Sequence, residues 1–216
     1  MSKRLFITKN ENEVAGLKES LTSQGKTLLA HSFLQFEPID FEITQDYDIL
    51  FFSSPRSVVF FKYNHTIPES KVLACVGGKT AELLIQMGFN VAFVGAHSGK
   101  VKDVAKSFKG WAGNRRVLFP SSDISLKSVS SLFKDTQKIE VAVYKTKIVS
   151  RAIQDCDTYI FTSPSNAEGF LEVNKLPDGV TIISWGQSTR AYLQKKGIKS
   201  THTLSDSSIE GLIKIL

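Results

Sequence analysis

With 216 residues, 42% of them hydrophobic and 22% charged, the chain has the make-up of a folded globular protein and length enough for two cores of about 100 residues each. Its net charge of +6 suits anionic partners, yet the basic residues are scattered along solvated faces such as KVKDVAKSFK and YLQKKGIK, and no DNA-reading or RNA-binding signature occurs, so a carboxylate-rich small molecule fits as well as nucleic acid does. No apolar run reaches the roughly 18 residues of a membrane span, and the opening MSKRLFITKNENE holds too short an apolar stretch for a signal peptide, so a cytoplasmic protein without a membrane partner is expected.

Taken in order, KRLFITKNENEVAGLKESL comes first and returns more weakly as RRVLFPSSDISLKSVSSLF from Arg115. Between these copies SFLQFEPI alternates apolar and polar residues and reads as a crossing strand. DILFFSSPRSVVFF predicts a continuous apolar strand that breaks on Ser-Pro into a short helix; VLACVG predicts a second strand, and KTAELLIQMG a helix ending on Gly88 in a left-handed cap. After the second RRVLF-type unit, IEVAVYKTKI predicts another crossing strand. TYIFTSPSNAEGF, TIISWG and STRAYLQKKG then repeat strand, helix, strand and helix, ending on Gly197.

The repetition has an unbroken register. Pro55 and Pro164 stand 109 positions apart, and the same offset pairs Gln45 with Gln154, Ser54 with Ser163, Gly77 with Gly186, Thr80 with Thr189 and Gly88 with Gly197 over about 45 positions. A duplicated unit of strands alternating with helices predicts an α/β fold of two similar parallel-sheet, flavodoxin- or Rossmann-like domains. Because the weaker unit precedes the Ser-Pro unit in one copy and follows it in the other, one domain should be contiguous, 41–138. The other should combine 1–32 with 148–216, and 33–40 with 139–147 should form a two-stranded linker beside an inter-domain cleft.

Residues just after each strand are the expected ligand contacts. They are Ser54, Arg56, Gly77, Gly78, Lys79, Thr80, Ser122 and Asp123 from the contiguous domain, flanked by Ser53 and Ser121. From the discontinuous domain they are Ser163, Ser165, Asn166, Gly186, Ser188 and Thr189, flanked by Thr162 and Gln187. Hydroxyls and backbone N–H groups at helix starts suit carboxylates or phosphates, although plain helix capping uses the same residue types. Tyr144 falls on a crossing strand, where a phenol, ionising near pH ~10, can donate a proton or a hydrogen bond at neutral pH.

Other candidates fall away. GAHSGKV from Gly95 has the wrong glycine spacing and Val101 where a phosphate loop needs Ser or Thr, and no dinucleotide fingerprint or nucleophile elbow is present. His31, His65, His97 and His202 are not spaced as metal ligands and read as surface or loop residues. Cys75 and Cys156, far apart and unpaired in spacing, read as small core hydrophobes.

The stretches FFSSPRSVVFF, VGGKTAELLIQMGFNVAFVG, FPSSD, VAVYKT, IFTSPSNAEGFL and WGQSTRAYLQKKGI, in this order and spacing, resemble the uroporphyrinogen-III synthase family across nearly the whole chain. The resemblance implies two α/β domains on a two-stranded ladder and cyclisation of hydroxymethylbilane, with inversion of the last pyrrole ring, to uroporphyrinogen III in haem biosynthesis. It implies a lyase without metal or organic cofactor, and we expect a monomer. By that analogy Tyr144 assists loss of the substrate hydroxyl as a general acid, Thr80, Ser188 and Thr189 match hydroxyl positions that hold substrate, and Ser54, Arg56, Ser163 and Ser165 match strand-end residues. The family's second glycine turn resembles Gly-Pro-Thr-Thr-Ala, whereas here it reads Gly186-Gln187-Ser188-Thr189-Arg190. The alternative is a non-enzymatic two-lobed binding or regulatory protein for a polyanionic small molecule, with the same cleft and no chemistry.

Overall fold

In the computed structural model, which describes residues 3–96 and 101–216 and so leaves His97 outside, the first elements are β1 (Arg4–Ile7), α1 (Ala15–Ser23), β2 (Thr27–Ala30) and β3 (Leu34–Pro38). Next come β4 (Ile49–Phe52), α2 (Pro55–Asn64), β5 (Val72–Cys75), α3 (Gly78–Gln86), β6 (Val91–Val94), α4 (Val101–Ala112), β7 (Val117–Ser122) and β8 (Lys138–Ile148). The last are β9 (Thr158–Phe161), α5 (Pro164–Leu171), β10 (Thr181–Ser184), α6 (Gln187–Lys195), β11 (His202–Thr203) and α7 (Ile209–Ile213). These divide into two units, one running to Gln35 and resuming at Lys147–Leu216, the other Phe36–Thr146.

The first unit is built on a wholly parallel five-stranded sheet, ordered β11-β10-β9-β1-β2. Side chains alternate across a strand, so strands buried on both faces must be apolar throughout. Accordingly Leu5, Ile7 and Ile160 pack with Leu17 and Leu21 of α1 and Leu212 of α7, while Phe6, Tyr159 and Phe161 pack on the other side with Ala167 and Phe170 of α5 and Leu193 of α6. Each such large side chain, fully buried, contributes about 1.5–3 kcal/mol.

The second unit carries a six-stranded mixed sheet, β3-β8-β7-β4-β5-β6. Its inner pairs, β7 with β8, β4 with β7 and β5, and β5 with β6, are parallel. Leu50 and Phe52 meet α2 and α3 through Val58, Phe61 and Leu84, and Ile49 and Phe51 meet α4 through Ala105 and Phe108. The edge pair is antiparallel: Ile39 N–H donates to Val143 O at 3.1 Å and Val149 N–H to Phe33 O at 2.8 Å, so partner numbers fall as those of β3 rise. The two crossing strands therefore lie side by side. β8 is also a full parallel partner of β7, which makes it part of the sheet as well as a connection.

The 109-residue offset holds in three dimensions. β4 and β9, α2 and α5, β5 and β10, and α3 and α6 start at matching positions. Gly88 and Gly197, just past α3 and α6, adopt φ of +86° and +78°, the left-handed conformation that lets a chain leave a helix and that residues with a Cβ rarely take. The weaker repeat holds for the strand alone. α1 has only a short 3-10 turn, Ser130–Leu132, as its counterpart after β7. Here serines compete with helix formation: Ser125 Oγ accepts the Lys127 N–H at 3.2 Å, Ser130 Oγ bonds Glu140, and Lys127 sits at φ +52°, outside the right-handed helix region.

Candidate active site

The expected contacts lie at the carboxyl ends of the strands, and the structure sorts them by what already occupies them. Ser54 and Ser163 are helix caps. Ser54 Oγ accepts from Ser57 N–H at 3.1 Å, Ser163 Oγ accepts from the backbone N–H and Nδ2 of Asn166, each at 3.2 Å, and both residues have the same extended backbone, φ −162° and −157°. Pro55 and Pro164 follow at the first helical position, where a missing N–H costs nothing.

Asn166 is buried, and its Oδ1 accepts from Phe33 N–H at 2.9 Å and Ser32 Oγ at 3.3 Å, so its side chain ties α5 to the segment entering β3. Asp123 Oδ1 accepts from Ile124 N–H at 3.0 Å and Thr146 N–H at 3.1 Å, and its own N–H donates to Tyr144 O at 3.1 Å. That carboxylate holds the end of β7 against β8; Ser122, its neighbour, registers opposite Tyr144.

The glycine-started helices differ. α3 and α6 have Gly77 and Gly186 at the cap, both nearly fully extended, and neither has a side chain to accept the first-turn N–H groups. Thr80 N–H turns back to the Gly77 carbonyl and Arg190 N–H to the Gly186 carbonyl, while Gly78 and Lys79, and Gln187 and Ser188, the first two residues of each helix, lie on the exposed rim. Such a start presents N–H donors and the positive end of the helix dipole to an anion. Thr80 and Thr189, each 2% exposed, anchor the inner side of the same turns. Ser165 is half-buried in the first turn of α5.

Tyr144 is 7% exposed, and aromatic rings fix it from two sides. Phe60 of α2 stacks on it at 5.0 Å and 28°, and Phe36 of β3 meets it edge-on at 5.9 Å and 77°. The Arg56 guanidinium lies 3.5 Å from the Phe36 ring centroid, which gathers a cation, the two phenyl rings and the phenol into one cluster. Phe36 and Phe60 were not among the sequence candidates. Only an antiparallel register of the two crossings sets Phe36 diagonal to Tyr144, and two short strands do not reveal their register.

Both cysteines are buried and free, and burial pushes their thiols up from the ordinary value. His31 packs edge-on to Phe33, its pKa lowered by burial and the Arg151 charge; His65 Nε2 bonds Phe41 O at 3.0 Å, and His202 lies on the edge strand β11. Among the described residues no three His, Cys, Asp or Glu side chains gather as a metal site, and no helix is long and apolar enough to cross a membrane.

The family model for uroporphyrinogen-III synthase HemD matches residues 15–214. The chain belongs to the uroporphyrinogen-III synthase family. It is thereby an enzyme of tetrapyrrole biosynthesis, a cyclising lyase. The crystal structure of uroporphyrinogen-III synthetase from Helicobacter pylori resembles it with a TM-score of 0.72 at 18% identity, covering 100% of this chain and 98% of that one. A mutant uroporphyrinogen III synthase from Thermus thermophilus resembles it with a TM-score of 0.60 at 14% identity, covering 99% and 97%. At these identities the likenesses speak for the shared synthase fold. No curated protein sequence matches the chain.

Proposed function

We propose that this synthase closes hydroxymethylbilane, a linear tetrapyrrole with acetate and propionate arms, to uroporphyrinogen III by the following division of labour. The family match over residues 15–214 is the observation that carries the reaction. The Tyr144 phenol donates its proton to the hydroxymethyl oxygen as the carbon–oxygen bond breaks. Water leaves, and the pyrrole nitrogen lone pair fills the electron demand, giving an azafulvenium cation that becomes the azafulvene once its N–H proton is lost. The substituted carbon of the last ring attacks that methylene to form a spiro intermediate; the bond from that carbon to its original bridging methylene then breaks, and the freed methylene bonds to the ring's unsubstituted α-carbon, which gives up its proton, so the ring closes inverted.

The packing of Tyr144 between Phe60 and Phe36 supports this role, since an acid held in one orientation loses no entropy at the moment of transfer. The uncapped starts of α3 and α6, with Lys79, Thr80, Ser188 and Thr189, take carboxylate arms, and Arg56 supplies a further cation. Ser54, Ser163, Asn166 and Asp123 act one step back, by shaping the turns. The free bilane also closes without help to the uninverted isomer, so most of the catalytic effect is selection of a bent substrate shape. We further infer a cytoplasmic monomer without a nucleic-acid partner. Incubating the purified protein with hydroxymethylbilane tests the reading: isomer III is the expected product, and isomer I at the uncatalysed rate contradicts it.

A further inference from the structure

A cavity of about 260 Å³ opens at the carboxyl ends of β4, β5 and β7, on the α4 side of the second unit's sheet, the face opposite the Tyr144 cluster. Its walls include Phe51, Val76, Phe119 and Val129, and its rim carries Ser53, Ser121, Ser125 and Ser128. Lys127, held at φ +52°, stands at the edge, with Nζ 2.7 Å from Glu140 Oε2; an ammonium carries two further N–H donors beyond that bond. Leu126 beside it is 92% exposed and Ile124 60%, an apolar lip with no core to cover.

Three features point to one occupant. Pockets for whole drug-sized ligands run to roughly 300–1,000 Å³, so this one has room for a ring with its arms and not for a complete tetrapyrrole. Its lining alternates apolar wall and hydroxyl rim, which matches a flat pyrrole carrying carboxylates. Its residues also stand directly before the rim described above, Ser53 before Ser54, Val76 before Gly77 and Ser121 before Ser122, so a chain of rings lying along the strand ends can drop one ring over the edge. A larger hollow of about 650 Å³ lies at the amino ends of β5 and β6, away from these groups.

Resting on the synthase reading, we propose that this cavity is a single-ring subsite that receives one pyrrole of the linear substrate, its face against Phe51, Val76 and Phe119 and its carboxylate arms on the rim serines and Lys127. It binds ground state and transition state alike, and so governs KM more than kcat.

The test fills the cavity and probes it separately. Ser53 is exposed, so Ser53→Phe closes the mouth without repacking the core, and Ser125→Phe does so from the opposite loop should the first variant not fold. Either variant, folded, should raise KM for hydroxymethylbilane about tenfold or more while kcat stays within about threefold. Independently, titrating wild type with porphobilinogen, a monopyrrole bearing one acetate and one propionate arm, should move the backbone amide NMR signals of Ser53, Val76 and Ser121 with a dissociation constant of about a millimolar. Unchanged KM in the folded variants, or no movement of those signals, overturns the subsite. Failure of wild type to make isomer III sinks the synthase reading instead, and the titration still decides whether the cavity takes a pyrrole.

Discussion

Gly169→Ala offers a stringent test of how the first unit is packed. Gly169 lies in α5, and a Cβ built there would stand 2.6 Å from Phe33 Cβ and 2.8 Å from Ile148 Cγ2. Helix propensity alone favours alanine by about 1 kcal/mol. Against this stands overpacking, typically about 1–3 kcal/mol, and the upper end applies because a Cβ next to backbone cannot rotate away as a flexible side-chain tip can. The net expectation is a loss of about 1–2 kcal/mol, or roughly 5–10 °C in the melting temperature of a unit of about 100 residues. Gly110→Ala in α4 is the control: nothing lies within 4 Å of its Cβ position, so propensity acts alone and stability should rise by about 0.5–1 kcal/mol. Circular dichroism melts and urea midpoints measure both. A Gly169→Ala protein as stable as wild type, beside a stabilised Gly110→Ala, would refute the close approach of α5 to Phe33 and Ile148.

Tyr144→Phe keeps the ring between Phe60 and Phe36 and removes only the hydroxyl, so turnover should fall about a hundredfold with an unchanged melt; wild-type turnover would take Tyr144 out of the mechanism. Ser163→Ala should cost about 1–2 kcal/mol in urea unfolding, since both the cap of α5 and the acceptor for Asn166 Nδ2 are lost, and kcat should stay near wild type; a large kcat loss with intact stability would instead make that oxygen a substrate contact. Burial works to raise the Glu140 carboxyl, but hydrogen bonds from Lys127 and Ser130 and the charges of Lys127 and Lys138 hold it below its ordinary 4.5. A carboxyl depressed in the folded state gives stability that is full above the unfolded value and is lost as pH falls through the folded one. The stability advantage of wild type over Glu140→Gln should therefore shrink below pH 4.5, and a pH-independent difference would show that the Lys127–Glu140 contact does not form.

Much of the architecture was written in punctuation. Ser-Pro at 54–55 and 163–164, and glycines at 77, 88, 186 and 197, each fix a backbone event, a capped start, an uncapped start or a left-handed exit, so their common offset located strands and helices in both copies. Over 123–132 the weaker repeat keeps the apolar spacing of α1 without its helix, because serine side chains bond groups within the segment and Lys127 and Ser130 are tied to Glu140 on β8. The rim was legible as a row of residue types and not as a division of roles. Whether a serine caps its own helix or faces outward depends on a rotamer, and Asn166 found its partners at Phe33 and Ser32, more than 130 positions away. Tyr144 stood out by its place on a crossing strand, but its cage came from Phe60 on a helix and Phe36 on a strand whose register only the folded sheet defines.

The most direct measurement follows the product isomers as the protein is titrated into a fixed supply of hydroxymethylbilane. The initial rate of uroporphyrinogen III formation should rise in proportion to protein while isomer I declines in compensation. A product mixture that stays pure isomer I at every protein concentration would contradict the assignment of ring-inverting closure to this chain.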